Sequence, residues 1–294
     1  MRLALAQIDC RLGNIPANIA THRAACAAIQ AQGGADLVLF PELSLTGYRL
    51  RSDIYRAMLN AADFAQVWAM LCAEGAVPPA MSVALGYVEL TDRSALHNTT
   101  ALLRGDNAQP LLVHRKVYLP TYGMFEEERY MRPGCRFRIA DLPMADGDTW
   151  RVGILCCEDA WHSSAWLIMQ AYGVDLVLIG SASPGRGVEA ERLGSQTSWY
   201  GILSTHAELL GCWVAFCNRV GFEDDIHFWG GSAVFAPTGE LLAEARTMEA
   251  DLLCCTIDKS AITTARLMTP LAADEQWPLT LTELKRAVSE RWEE

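Results

Sequence analysis

The first forty residues read as strand, helix, strand, an order that confines the chain to folds built on a parallel or mixed sheet. Leu3 to Ile8 is an apolar run of strand length. Asn14 then Pro16 open a helix, with a capping residue followed by proline in the first turn. Ile15, Ile19, His22, Cys26 and Ile29 mark its apolar face, and Gly33-Gly34 stops it. Ala35 to Phe40 is the second strand. Phe64, Val67, Trp68, Leu71 and Cys72 have helical spacing, Met81 to Tyr87 reads as a strand, and Leu102 to Val113 as a hairpin turning at Arg104-Gly105-Asp106-Asn107. After Cys157 the alternation returns. A helix over Ala165 to Tyr172 precedes an apolar strand, Val174 to Ile179. The loop Ser181 to Gly187 then leads into a long helix carrying Trp199, Ile202, Leu203, His206 and Leu210. Trp213 to Cys217, Ser232 to Phe235 and Leu252 to Ile257 complete the strands.

No linker, low-complexity tract or repeat interrupts this pattern, so residues 1–294 are expected to form one α/β domain. Residues 279–294 should add a charged C-terminal helix that packs on a neighbour. With 51% hydrophobic and 20% charged residues, the chain has the composition of a soluble protein with a large core. A net charge of −11 argues against nucleic acid or an anionic membrane as partner. The ten cysteines follow no disulfide framework, and neither a Cys-x-x-Cys pair nor a histidine cluster suggests a metal. The N-terminal residues turn polar too early for a signal peptide, and no apolar run approaches membrane-spanning length. A cytoplasmic protein with reduced thiols is expected.

The chemistry concentrates where apolar runs end. Val152-Gly153-Ile154-Leu155-Cys156-Cys157-Glu158-Asp159-Ala160-Trp161 reads as a buried strand, bounded by Gly153, that ends in a thiol, two carboxylates and an aromatic ring. A cysteine at a strand mouth can meet substrate, although free cysteines are more often small buried hydrophobes. Alternation points Cys156 and Cys157 to opposite faces, so at most one is a nucleophile. Glu42 follows the strand ending at Phe40-Pro41; partial desolvation there would raise its carboxyl toward general-base range, while a plain turn carboxylate is the alternative. Lys116, among apolar neighbours, could stabilise an oxyanion and favour the thiolate of Cys157, or simply snorkel from a strand edge. Phe125-Glu126-Glu127-Glu128-Arg129-Tyr130 alone would read as a solvated acidic face.

Taken together, the order Glu42, Lys116, Glu127, Cys157 resembles the nitrilase superfamily of carbon–nitrogen hydrolases. The likeness runs from Leu3-Ala4-Leu5-Ala6-Gln7 through Phe40-Pro41-Glu42-Leu43 to Asn218-Arg219-Val220-Gly221 and Gly230-Gly231-Ser232. It implies a four-layer αββα sandwich, with subunits pairing as a homodimer or higher oligomer. It implies Cys157 as nucleophile, Glu42 as general base, Lys116 and the amide N–H of Glu158 as oxyanion donors, and Glu127 as support for Lys116. Lys116 to Tyr130 (with Tyr122) and Cys157 to Trp161 are most similar to the glutaminase domain of glutamine-dependent NAD synthetases. Two departures matter. No glycine-rich, Ser-Gly-Gly-type loop for an ATP-dependent synthetase is present, so NAD synthesis is not expected on this polypeptide alone. The loop after Ser181-Ala182-Ser183-Pro184 is short, and Val188 stands where such glutaminases carry a basic residue for the substrate carboxylate; Arg186 is the candidate to replace it, with Ser183 beside it.

The resemblance therefore implies a thiol amidohydrolase acting on a small amide through an acyl-enzyme, needing no cofactor or metal. A nitrilase, an N-carbamoyl amide hydrolase and a glutaminase subunit feeding a separate synthetase would use the same triad. Glu158, where true nitrilases usually carry tryptophan, favours amides over nitriles. Outside enzymes, a catalytically silent binding protein is the alternative.

Overall fold

The computed structural model describes residues 1–189 and 192–292. Two six-stranded sheets organise it. The first runs in the order Asp251–Thr256, Arg2–Gln7, Leu37–Leu39, Ser82–Leu90, Leu96–Arg104 and Asn107–Arg115. The second runs Leu241–Glu244, Ala233–Phe235, Trp213–Asn218, Leu176–Ser181, Thr149–Cys156 and Ile139–Pro143. Each sheet has three parallel strands at its centre, the product of strand–helix–strand units, and antiparallel strands toward its edges.

Side-chain alternation divides the core into layers. Leu3, Leu5, Leu37 and Leu39 of the first sheet meet Val152, Ile154, Leu176 and Leu178 of the second in one apolar layer between the sheets. The opposite face of the first sheet, through Ala4, Ala6, Val38 and Val83, packs on helices Ile15–Ala31 and Ala61–Cys72. The outer face of the second packs Leu155, Val177, Ile179 and Val214 on helices Ser163–Tyr172 and Gly194–Leu210. The layering is αββα, as the resemblance implied.

The N-terminal helix starts as its sequence dictates, with Asn14 Oδ1 accepting from Ala17 N at 3.1 Å. Gly153 does not bound its strand but lies inside it, because the helix above presses close: an added Cβ would meet Met169 Sδ at 2.4 Å. The expected hairpin is longer than read, spanning Leu96–Arg104 and Asn107–Arg115. A second hairpin, Val220–Glu223 with Ile226–Trp229, was not foreseen. The last helix runs Trp277–Trp292 and leaves Leu279, Leu281, Leu284 and Val288 more than half exposed; residues 293 and 294 of the expected extension lie outside those described. Among the described residues no helix is long and apolar enough to cross a membrane.

His22 gives the fold a specific acid sensitivity. Its ring is buried, stacked 4.2 Å from Phe40, and bonded to Asn18 O at 2.7 Å and Ser44 Oγ at 3.0 Å. Burial lowers its pKa to about 4, against the pull of the Asn18 carbonyl. A depressed folded-state value means the associated stability is complete above the unfolded value near 6.5 and is lost as pH falls toward 4. The difference corresponds to roughly 3 kcal/mol. Urea unfolding of the wild type should weaken by that order between pH 7 and pH 4, and His22→Gln should flatten the dependence. Equal acid sensitivity in both chains would contradict this account.

Candidate active site

Two sharp bends at the C-terminal ends of parallel strands face each other across the sandwich. Leu37–Leu39 runs into Phe40-Pro41-Glu42, and Leu43 then takes φ 48°. Thr149–Cys156 runs into Cys157 at φ 45°, which opens the 3₁₀ turn Cys157–Trp161. Left-handed conformations at non-glycine residues cost on the order of 1–3 kcal/mol each, so packing must hold them. Gly86 makes the first bend possible: a Cβ there would meet Leu43 N at 2.3 Å. Asp159 holds the second. Fully buried, it accepts from Cys156 N at 3.0 Å, Val117 N at 3.0 Å and Tyr118 N at 2.9 Å, and meets His114 Nε2 at 2.7 Å. One carboxylate thereby fixes the cysteine turn against the segment that carries Lys116.

Lys116 lies between two carboxylates, its Nζ donating to Glu42 Oε1 at 2.7 Å and Glu127 Oε1 at 2.6 Å. All three side chains are buried. Glu42 Oε2 accepts from Ala182 N at 2.9 Å. Tyr48 OH donates to Glu127 Oε1, and Asn98 Nδ2 donates to Glu42 Oε1 at 2.8 Å and Glu127 Oε2 at 3.4 Å. Cys156 and Cys157 do point apart. Cys156 Sγ lies 3.5 Å from Glu42 Oε1 and 3.6 Å from Asn98 Oδ1, wholly enclosed. Cys157 Sγ accepts from Ser181 Oγ at 3.3 Å and lines a pocket of about 380 Å³.

The family model for Carbon-nitrogen hydrolase matches residues 2–267. This chain belongs to the carbon-nitrogen hydrolase family. A glutamine-dependent NAD(+) synthetase of Thermotoga maritima is 29% identical over 261 residues, 88% of this chain and 42% of that protein. The structure of glutamine-dependent NAD+ synthetase from Acinetobacter baumannii superposes with a TM-score of 0.77 at 28% identity, over 89% of this chain and 46% of that one. An amidase from Nesterenkonia sp. superposes with a TM-score of 0.77 at 25% identity, over 96% of this chain and 95% of that one. The chain spans less than half the length of the synthetases it matches. It is a nitrilase-superfamily hydrolase of carbon–nitrogen bonds other than peptide bonds.

The electrostatics and burial of this carbon-nitrogen hydrolase depart from the sequence expectation at Cys157, Glu42 and Glu127. Burial holds the Cys157 thiol well above its ordinary value, and the Glu42 carboxylate adds to this; Lys116 pulls the other way and does not win. The cysteine therefore rests as a thiol rather than as a thiolate favoured by Lys116. Burial works against the charge on Lys116, yet Glu127 and Glu42 outweigh it and keep the ammonium protonated. Burial pushes the Glu127 carboxyl up to about 7 against the opposing pull of Lys116. Glu42 is enclosed more fully than the expected partial desolvation, and Glu127 lies in the core rather than on a solvated face.

The pocket brings the remaining expected residues together. Tyr122, Phe125, Trp161 and Trp199 form apolar walls, with Glu158, Ser183 and Arg186 as polar points. Tyr122 OH donates to Glu158 Oε2 at 2.9 Å. Ser183 Oγ is already engaged by Trp199 Nε1 at 2.9 Å. Arg186 extends over Phe125, its guanidinium carbon 4.9 Å from the ring centroid. The side chain of Val188 lies outside the described residues. Among the described residues no group of three or more His, Cys, Asp or Glu is arranged to hold a metal. Sequence reasoning missed Asn98 and Tyr48, and it missed what Asp159 and Ser181 contact. A signal existed for Asn98: it lies in a polar run, His97-Asn98-Thr99-Thr100, that precedes the apolar Ala101-Leu102-Leu103 of the same strand.

Proposed function

We propose that this chain is a thiol amidohydrolase that cleaves a small amide through an acyl-cysteine. The observation that supports it best is Lys116 clamped between Glu42 and Glu127 beside a thiol that opens on a pocket. Glu42 takes the Cys157 proton as sulfur attacks the amide carbon, and Lys116 with the Glu158 amide N–H receives the developing oxyanion. Glu42 returns the proton to the departing amine, leaving a thioester. Water, deprotonated by Glu42, then releases the carboxylic acid and restores the thiol. A resting thiol suits this cycle, because the same carboxylate serves both half-reactions.

The test is ammonia or amine release from a panel of amides, nitriles and N-carbamoyl amino acids. Amide turnover supports the proposal, carbon dioxide alongside ammonia would indicate the carbamoyl reaction, and turnover of nitriles alone would overturn it. Likeness to the synthetases supports glutamine as one panel member, and with it the reading of an ammonia supplier to a separate synthetase. The apolar residues that the last helix leaves in solvent support the pairing of subunits.

Arg186 sets an expectation about that panel. A substrate carboxylate buried unpaired in the pocket would cost several kcal/mol, and a planar guanidinium on the pocket wall offers two donors for it. Arg186→Ala should raise KM for carboxylate-bearing amides by roughly 10-fold or more and leave neutral amides unchanged. Neutral amides being preferred and indifferent to the substitution would remove Arg186 from the substrate site.

A further inference from the structure

We infer that Asn98 is a positioning residue that selects which oxygen of Glu42 acts as the base. This rests on the proposed role of Glu42 and goes beyond it. The two oxygens of the Glu42 carboxylate are treated unequally. Oε1 is met by Lys116 Nζ at 2.7 Å, Asn98 Nδ2 at 2.8 Å and Cys156 Sγ at 3.5 Å. Among the described residues Oε2 is met by one donor, Ala182 N at 2.9 Å. Ala182 follows Ser181, whose hydroxyl touches Cys157 Sγ, so Oε2 is the oxygen on the nucleophile's side and Oε1 the oxygen on the Cys156 side. With its lone pairs taken on Oε1, the carboxylate has its free proton-accepting capacity on Oε2.

The second amide hydrogen of Asn98 faces Glu127 Oε2 at 3.4 Å. Two carboxylates on one ammonium carry an excess negative charge in a dry site, which would drive a proton onto one of them. A neutral side chain with two N–H donors stabilises both without adding charge, a task that Asp, Ser or Leu at this position cannot perform. Its placement is built in: Asn98 is 1% exposed, and its backbone carbonyl accepts from Lys116 N at 2.8 Å, which sets amide and ammonium side by side.

The experiment follows Cys157 alkylation by iodoacetamide against pH, read by peptide mass mapping so that the other cysteines do not interfere and no substrate need be known. The acid limb of the wild-type profile is the reference, and its loss in Glu42→Gln assigns it to Glu42. Asn98→Leu and Asn98→Ala remove a hydrogen bond to the charged form, so the limb should move up by about 1 pH unit, with alkylation on the limb slowed roughly 10-fold. A role confined to packing would lower the melting temperature and leave the limb in place, which would overturn the inference. If only one variant folds, it carries the test. The wild-type arm needs no variant: the Asn98 side-chain amide protons, followed by NMR with selective asparagine labelling, should titrate with the midpoint of the limb, and insensitivity across it would equally overturn the inference. Glu42→Gln separates the two levels. A limb that survives this substitution would defeat the role of Glu42 itself, whereas a limb that vanishes there but stays put in both Asn98 variants defeats only the role of Asn98.

Discussion

Cys157→Ala is expected to abolish turnover, with a loss on the order of 10⁶-fold, the scale seen when a covalent nucleophile is removed, while the fold survives. The substitution deletes one sulfur atom that accepts a hydrogen bond from Ser181 Oγ, so stability should change by about 1 kcal/mol at most. Cys156→Ala tests the assignment from the other side. Its sulfur lies against Glu42 and Asn98 and not in the pocket, so an alanine there should loosen the proposed base without removing the proposed nucleophile. A decline of roughly 10-fold is expected, at the low end of what acid–base disturbance costs. Ammonia release and thermal melts on both variants decide the matter, and equal inactivation of the two folded proteins would defeat the assignment of Cys157.

The frame of this site was legible in the sequence because it depends on local pattern. Short apolar runs ending in Pro41-Glu42 and Cys157-Glu158 announced strand ends, and strand ends are where open sheets place chemistry. Alternation separated Cys156 from Cys157 for the same reason. What escaped depends on partners distant in the chain. Tyr48 and Glu127 are 79 residues apart and His114 and Asp159 are 45 apart, and no periodicity reports such pairs. The strand Leu241–Glu244 escaped because it is an edge strand largely open to solvent, with no alternation to read. The rest state of Cys157 was misjudged for a physical reason: burial of the thiol, the largest influence on it, was left out, and Lys116 was weighed as a free cation although two carboxylates share it.

That sharing makes Lys116→Met the most informative substitution for separating folding from chemistry. The sequence alone suggests a catalytic lysine whose loss spares the fold. The structure argues otherwise, because methionine would leave Glu42 and Glu127 as two buried carboxylates without their cation. Breaking a buried pair in this way typically costs about 3–5 kcal/mol, so the variant should be markedly destabilised at neutral pH. The sign of its pH dependence follows from that burial. Unpaired buried carboxylates hold their protons, so their folded-state values rise above the unfolded ones. The variant's stability is then greatest at low pH and falls as pH rises through the raised values. Adding Glu127→Gln removes one of the two stranded charges and should recover a good part of the stability. It should recover none of the activity, since the oxyanion still lacks its ammonium donor, a loss of about 10²–10³-fold or more. Urea unfolding and ammonia release measured on the single and double variants give both quantities. Recovery of turnover together with stability would show that Lys116 acts only as a structural counter-ion, and the catalytic triad would then have to be abandoned.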